Sequence, residues 1–167
     1  LKPLMPGPQI FTKRRPTENE MLDVAFGFKA AKAIGGMDLG QTVVIKDQAV
    51  MAVEAIEGTD ECIKRGGALG RGDAVVVKVA KPNQDLRFDV PTVGVKTINS
   101  MIVANSKALA IEADNTLLVE KSKVLELAKK NNIDLKFENL SDKVDSKFEL
   151  LSQKIDSGFS NRSEEHT

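Results

Sequence analysis

The sequence predicts an α/β or α+β fold, a mixed sheet with flanking helices, and three observations carry that prediction. Short aliphatic runs, Val43–Ile45, Ala74–Val79 and Leu109–Ile111 among them, alternate along the chain with segments whose apolar residues recur at helical spacing. Hydrophobic residues make up 41% of the 167 positions, enough to build one core. Glycines at 35–36, 66–67, 70 and 72 fall where the periodic segments need to stop.

The elements follow in order. Residues 1–16 hold four of the six prolines and read as an extended linker. With no initiator Met, that stretch is expected to belong inside a longer protein. Thr17-Glu18-Asn19-Glu20 has capping-box spacing and opens a helix to about Ile34. Its core face would use Leu22, Ala25, Phe26, Ala30, Ala33 and Ile34, and Gly35-Gly36 would end it. Val43–Ile45 and Val50–Val53 flank Lys46-Asp47-Gln48 and read as a hairpin. A short helix is expected from Thr59 to about Leu69, closing at Gly70–Gly72. The glycine-rich run Gly66–Gly72 lacks the Gly-Lys-Ser/Thr of a P-loop and reads as a helix end and turn. Ala74–Val79 is a buried strand. Asp85–Val90 alternates charged and apolar residues as a second strand would.

Thr92 to about Ser106 is expected to be helical, with Ile98, Met101, Ile102 and Val103 inward. Leu109–Ile111 and Thr116–Val119 are short strands. Glu120–Asn132 is an amphipathic helix packing through Val124, Leu125, Leu127 and Ala128, and Ile133–Phe137 is the last strand. The domain proper is thus 17–139. Residues 140–161 change character: Lys143–Phe148 recurs eleven residues later as Lys154–Phe159. Leu140, Val144, Phe148, Leu151, Ile155 and Phe159 would form one stripe of a C-terminal amphipathic, coiled-coil-like helix. Such a tail serves a partner or self-association, including a homo-oligomer, or is one solvated helix. Residues 162–167 (RSEEHT) resemble a translated sequencing adapter and are set aside as an artefactual tail.

Composition removes several function classes. Aromatics are 4%, with no Trp or Tyr, and the formal net charge is zero. Neither a base-stacking surface nor a basic field for nucleic acid is expected. The lone cysteine, Cys62, rules out a disulfide framework, and the lone histidine, His166, lies in the last residues, away from any domain site. No apolar run approaches the ~20 residues of a membrane span, and residues 1–10 lack the pattern of a signal peptide. A soluble protein of a reducing compartment is expected.

Two constellations can carry chemistry. As a strand, Asp85–Val90 would put Asp85, Arg87 and Asp89 on one face and Leu86, Phe88 and Val90 on the core side. Two carboxylates about a guanidinium suit a divalent metal or an activated water; a solvent-side charge ladder on an edge strand is the alternative. The second is Glu54–Glu61, at the hand-over from the hairpin to a helix. Glu57, Thr59 and Asp60 can bind metal or phosphate there. Alternatively Thr59 is the N-cap, and Asp60 pairs with Lys64. Lys78 and Lys81 can neutralise a phosphate in the same cleft or be solvated strand-end lysines. Lys13-Arg14-Arg15 can touch phosphate or solubilise the linker.

Four segments stand in family order: TKRRPT (12–17), DLGQTVV (38–44), AVEAIEGTD (52–60) and KPNQDLRFDVPTVG (81–94). Over roughly residues 7–138 the chain resembles the C-terminal domain of the LpxI-type UDP-2,3-diacylglucosamine pyrophosphatases of lipid A biosynthesis. The resemblance implies a Mg2+-dependent cytoplasmic enzyme of Gram-negative bacteria, working beside the inner membrane. It would hydrolyse UDP-2,3-diacylglucosamine to UMP and 2,3-diacylglucosamine 1-phosphate. It also implies two domains with substrate between them, so residues 1–16 would link to an N-terminal domain that is missing here, and the fragment alone is expected to be inactive. Carried over by motif, Asp89 would be the key carboxylate with Asp85 beside it, and Asp60 a further catalytic acid. Asp89, Asp85 and Glu57 would hold metal, and Lys81, Arg87, Thr59, Gln84 and Lys78 would hold substrate. The alternatives are a non-catalytic nucleotide-ligand or partner-binding module with a helical oligomerisation tail, and a phosphodiesterase for another diphosphate.

Overall fold

The computed structural model describes residues 2–12, 16–139 and 153. The repeated segment 140–161 and the tail beyond it therefore lie outside the described residues, apart from position 153. The α/β expectation holds. Strands β1 (Gln9–Ile10), β2 (Thr42–Lys46), β3 (Ala49–Val53), β4 (Val75–Lys78), β6 (Ala108–Glu112) and β8 (Asp134–Glu138) form one sheet in the order β1-β8-β6-β4-β2-β3. β4, β6 and β8 run parallel, and β1, β2 and β3 pair antiparallel with their neighbours, so the sheet is mixed. β5 (Thr92–Val93) and β7 (Leu117–Leu118) make a separate two-stranded parallel pair. The helices are α1 (Glu18–Gly36), α2 (Thr59–Gly70), α3 (Val95–Val103) and α4 (Lys121–Lys130).

Alternation along the strands divides the core between two faces. Val43, Ile45, Val75, Val77, Ala108 and Ala110 pack under α1, against Phe28, Ala31 and Ile34. Val44, Val76, Leu109, Ile111 and Leu135 point the other way, into Cys62 and Ile63 of α2, Ile98 and Met101 of α3, and Val124 and Ala128 of α4. β4 is buried on both faces, in keeping with the unbroken apolar run Ala74–Val77 that leads up to Lys78.

Local chemistry sets the boundaries. Thr17 caps α1, its hydroxyl accepting from the Glu20 amide at 3.1 Å. The core face of α1 differs from expectation. Val24, Phe28 and Ala31 face the sheet, Phe26 and Ala30 are only partly buried, and Ala33 is exposed. The β2–β3 turn uses Asp47 and Gln48, both at positive φ (51° and 58°), as a two-residue hairpin of this hand requires. Asp23 of α1 accepts from the Gln48 amide at 2.7 Å and holds that turn. Gly66 and Gly67 lie inside α2 rather than at its end. A Cβ on Gly66 would sit 2.5 Å from Val44, and one on Gly67 2.5 Å from Ala104. The helix ends in the expected Gly70–Gly72 region, with Arg71 (φ 58°) and Gly72 (φ 82°) in the left-handed conformation.

Two segments take a secondary structure other than the one expected. Asp85–Val90 is not a strand. The Asp85 carbonyl accepts from the Phe88 and Asp89 amides, both at 3.0 Å, and its carboxylate accepts from the Arg87 amide at 3.0 Å. That is a turn begun by Asp, bracketed by Pro82 and Pro91, and it leaves Phe88 84% exposed instead of in the core. The helix expected from Thr92 starts at Val95, because Thr92–Val93 pair with Leu117–Leu118. Its Val103 is 73% exposed, not inward.

Candidate functional site

The cleft lies where β4 ends and three helices begin. α2 starts behind Gly58, α3 behind Gly94 and α4 behind Glu120, and none of these caps supplies a side-chain hydrogen bond. The first N–H groups of each helix lack intrahelical carbonyl partners. Two adjoining hollows of about 410 and 660 Å³ share Thr59, Asp60, Lys96 and Asn99 in their walls. Lys78, the last residue of β4, lines the larger one.

Lys78 is the buried cation of this cleft. Its ammonium donates to Thr59 Oγ1 and to the Thr92 carbonyl, both at 3.1 Å. Burial pushes its pKa down, and the charges of Glu54, Asp60 and Asp89 push back up. Those three carboxylates are thus within electrostatic reach of one ammonium. Thr59 is not the N-cap of α2, since Gly58 holds that position with φ 86°. Its hydroxyl reaches Lys78 instead and lies 3.4 Å from that of Thr42. Asp60 does not pair with Lys64, which binds Glu61 at 3.0 Å. It accepts from Ser100 Oγ at 3.1 Å, and Lys96 Nζ stands 3.7 Å away.

Asp89 is exposed; its charge opposes the downward push of burial on Lys78 and adds to the larger upward pull of Asp38 on Lys81. The other residues singled out from sequence are engaged by neighbouring groups, although Glu57 still lines the smaller hollow. Asp85 is gripped by Arg87 (3.0 Å from Nε, 2.8 Å from Nη2), which holds its carboxyl below the usual range. Arg87 also stacks over Phe88, 5.5 Å from the ring centre. Glu57 binds Arg65, which likewise lowers its pKa. Gln84 accepts from the Lys81 amide at 2.9 Å, and the Lys81 ammonium pairs with Asp38. The three-carboxylate set of Asp89, Asp85 and Glu57 is therefore not assembled. Among the described residues no three His, Cys, Asp or Glu side chains gather to hold a metal ion. Burial pushes the Cys62 thiol up to about 12, so it offers no thiolate.

Sequence reasoning missed Glu54, Lys96 and Asn99 as site residues. Lys96 carried a usable signal: a cation in the first turn of a helix opposes the dipole and calls for a nearby anion. Glu54 was hidden in an acidic run whose register only the fold resolves; its Oε2 accepts from the Gln41 amide at 3.3 Å.

Together these features define a mixed α/β domain with a lysine- and carboxylate-lined cleft at the end of a parallel strand. The pattern of the LpxI C-terminal domain matches residues 7–136, and the chain belongs to that family. A relative, the UDP-2,3-diacylglucosamine pyrophosphatase LpxI of Caulobacter vibrioides (strain ATCC 19089 / CIP 103742 / CB 15), is 36% identical over 124 residues. The match covers 70% of this chain and 44% of that relative, so the chain spans less than half the relative's length.

Proposed function

We propose that this cleft is part of the site at which a lipid A pathway hydrolase cleaves the diphosphate of UDP-2,3-diacylglucosamine, giving UMP and 2,3-diacylglucosamine 1-phosphate. The observation that carries this reading is Lys78. An ammonium is kept out of water between the first turn of α2 and the loop leading into α3, with carboxylates around it. Diphosphate oxygens bring the negative charge that such a pocket, with Lys96 and the free helical N–H groups, is suited to neutralise.

In this reading Lys78 and Lys96 bind phosphoryl oxygens, Lys81 exchanges Asp38 for the substrate, and Thr59 orients Lys78. Asp89, aided by Asp60, accepts a proton from the attacking water. The water oxygen bonds to one phosphorus, the bridging P–O bond breaks, and the second phosphate leaves with the bridging oxygen. Asp85 and Arg87 shape the loop that presents Asp89. A closed magnesium cage does not fit, because Asp85 and Glu57 are held by arginines. An ion carried on the diphosphate needs only one or two protein carboxylates, a role that Asp89 and Asp60 fit. Bound there, magnesium would supply further charge neutralisation on the phosphoryl oxygens. The site of action in this reading is cytoplasmic; among the described residues no helix is long and apolar enough to cross a membrane.

The test is UMP release by the full-length parent protein from its lipid substrate, in magnesium and in EDTA. Release in magnesium that stops in EDTA is the expected outcome. A folded wild-type protein that binds the nucleotide but releases no UMP under either condition contradicts the hydrolase reading and favours a binding module.

A further inference from the structure

At Ala80 the chain leaves the sheet, and side chains from two other elements take over its backbone. The β4–β6 ladder ends with Lys78 opposite Ile111, and Val79 donates to the Gln41 carbonyl at 3.0 Å. Ala80 is buried and has no strand partner. Its N–H donates to Glu112 Oε2 at 2.8 Å, and its carbonyl accepts from Lys32 Nζ at 2.7 Å. The circuit closes because Lys32 Nζ also lies 2.9 Å from Glu112 Oε2 and donates to Oε1 at 3.1 Å. Asn115 Nδ2 adds a bond to Oε1 at 3.0 Å. Lys32 comes from α1 and Glu112 from the end of β6.

The location matters more than the pairing. Ala80 stands between Lys78 and Lys81, at the root of the 81–91 loop that carries Asp89. For stability alone, a mostly buried ion pair is a poor device, since its desolvation offsets most of its attraction. Its particular service is to satisfy both polar groups of one buried peptide position that the sheet no longer serves. We infer that Lys32 and Glu112 are positioning residues: they fix the direction in which the loop leaves the sheet, and so place Lys81 and Asp89 relative to Lys78. The kinetic consequence rests on the hydrolase reading; the effect on the loop does not.

The test uses the full-length protein with Glu112→Ala, Glu112→Gln, Lys32→Met and the double change Lys32→Met/Glu112→Leu. The double change removes both charges, so no buried ion is left unpaired. Amide hydrogen exchange is followed at Ala80 and at Gln84, Phe88 and Asp89, whose N–H groups are bonded inside the loop. Alongside it, kcat and KM are measured. Exchange at these amides should rise by about tenfold or more in the double variant, while β4 and β6 amides keep wild-type protection. Its kcat should fall by about 100-fold with KM moving less than about threefold, because misplaced reacting groups slow chemistry more than binding. Glu112→Gln alone keeps an acceptor for Ala80 and should recover most of the rate. Exchange that rises evenly across the sheet, or a double variant with wild-type loop exchange, would overturn the inference. Loop loosening in a protein whose wild type releases no UMP would remove the hydrolase reading and leave the positioning role standing.

Discussion

In the reading proposed above, Lys78 sets stability against function within one side chain. Its folded pKa lies below the ordinary lysine value because burial disfavours the ammonium. The folded state therefore holds this proton less tightly than the unfolded chain. The penalty is fully present at pH values below the folded pKa, and stability recovers as pH rises from there toward the unfolded value. Lys78→Met should flatten that alkaline rise, measured as urea midpoint against pH. At neutral pH it should be neutral or stabilising by about 1 kcal/mol, as replacements of buried ions by apolar groups often are. The same change should weaken UDP binding by about tenfold or more in titration calorimetry, since a charge-assisted bond to phosphate is lost. A variant that is destabilised yet binds UDP normally would mean that Lys78 is structural.

Among the elements, α2 shows what a helix must give up to sit close to a sheet and to its neighbour. Gly66→Ala gains about 1 kcal/mol of helix propensity but places a methyl 2.5 Å from Val44 Cβ, on the buried face of β2. Overpacking of that kind costs about 1–3 kcal/mol. We expect a net loss of up to about 2 kcal/mol, read from the denaturation midpoint. The order of helices and strands was legible because periodicity and capping are local: Thr17 with Glu20, and the aliphatic run of β4, state their structure within a few residues. The 81–91 loop was not legible. Alternation from Asp85 to Val90 mimics a strand, while the deciding interactions are an Asp-led turn and two flanking prolines. The site was half legible for the same reason. Thr59, Asp60 and Lys78 line one hollow, with the charge of Asp89 acting on Lys78, but Asp85 turns to Arg87 within its own turn and Glu57 to Arg65 of α2.

For the whole molecule, the sheet separates an α1 face from a face built of α2, α3 and α4, and the cleft opens at the end where β4 hands over to its loop. The chain belongs to the LpxI C-terminal domain family and spans less than half the length of its relative. The most direct measurement is UMP release by the full-length enzyme with Asp89→Ala and, separately, Asp85→Ala, each checked for folding by circular dichroism. Our account predicts that Asp89→Ala loses at least about 100-fold in kcat, within the range general-base catalysis supplies. Asp85→Ala should lose no more than about tenfold, since it alters only the presentation of the loop. Equal and near-complete loss in both would contradict the account and return Asp85 to the reacting centre; retained activity in Asp89→Ala would remove Asp89 from it.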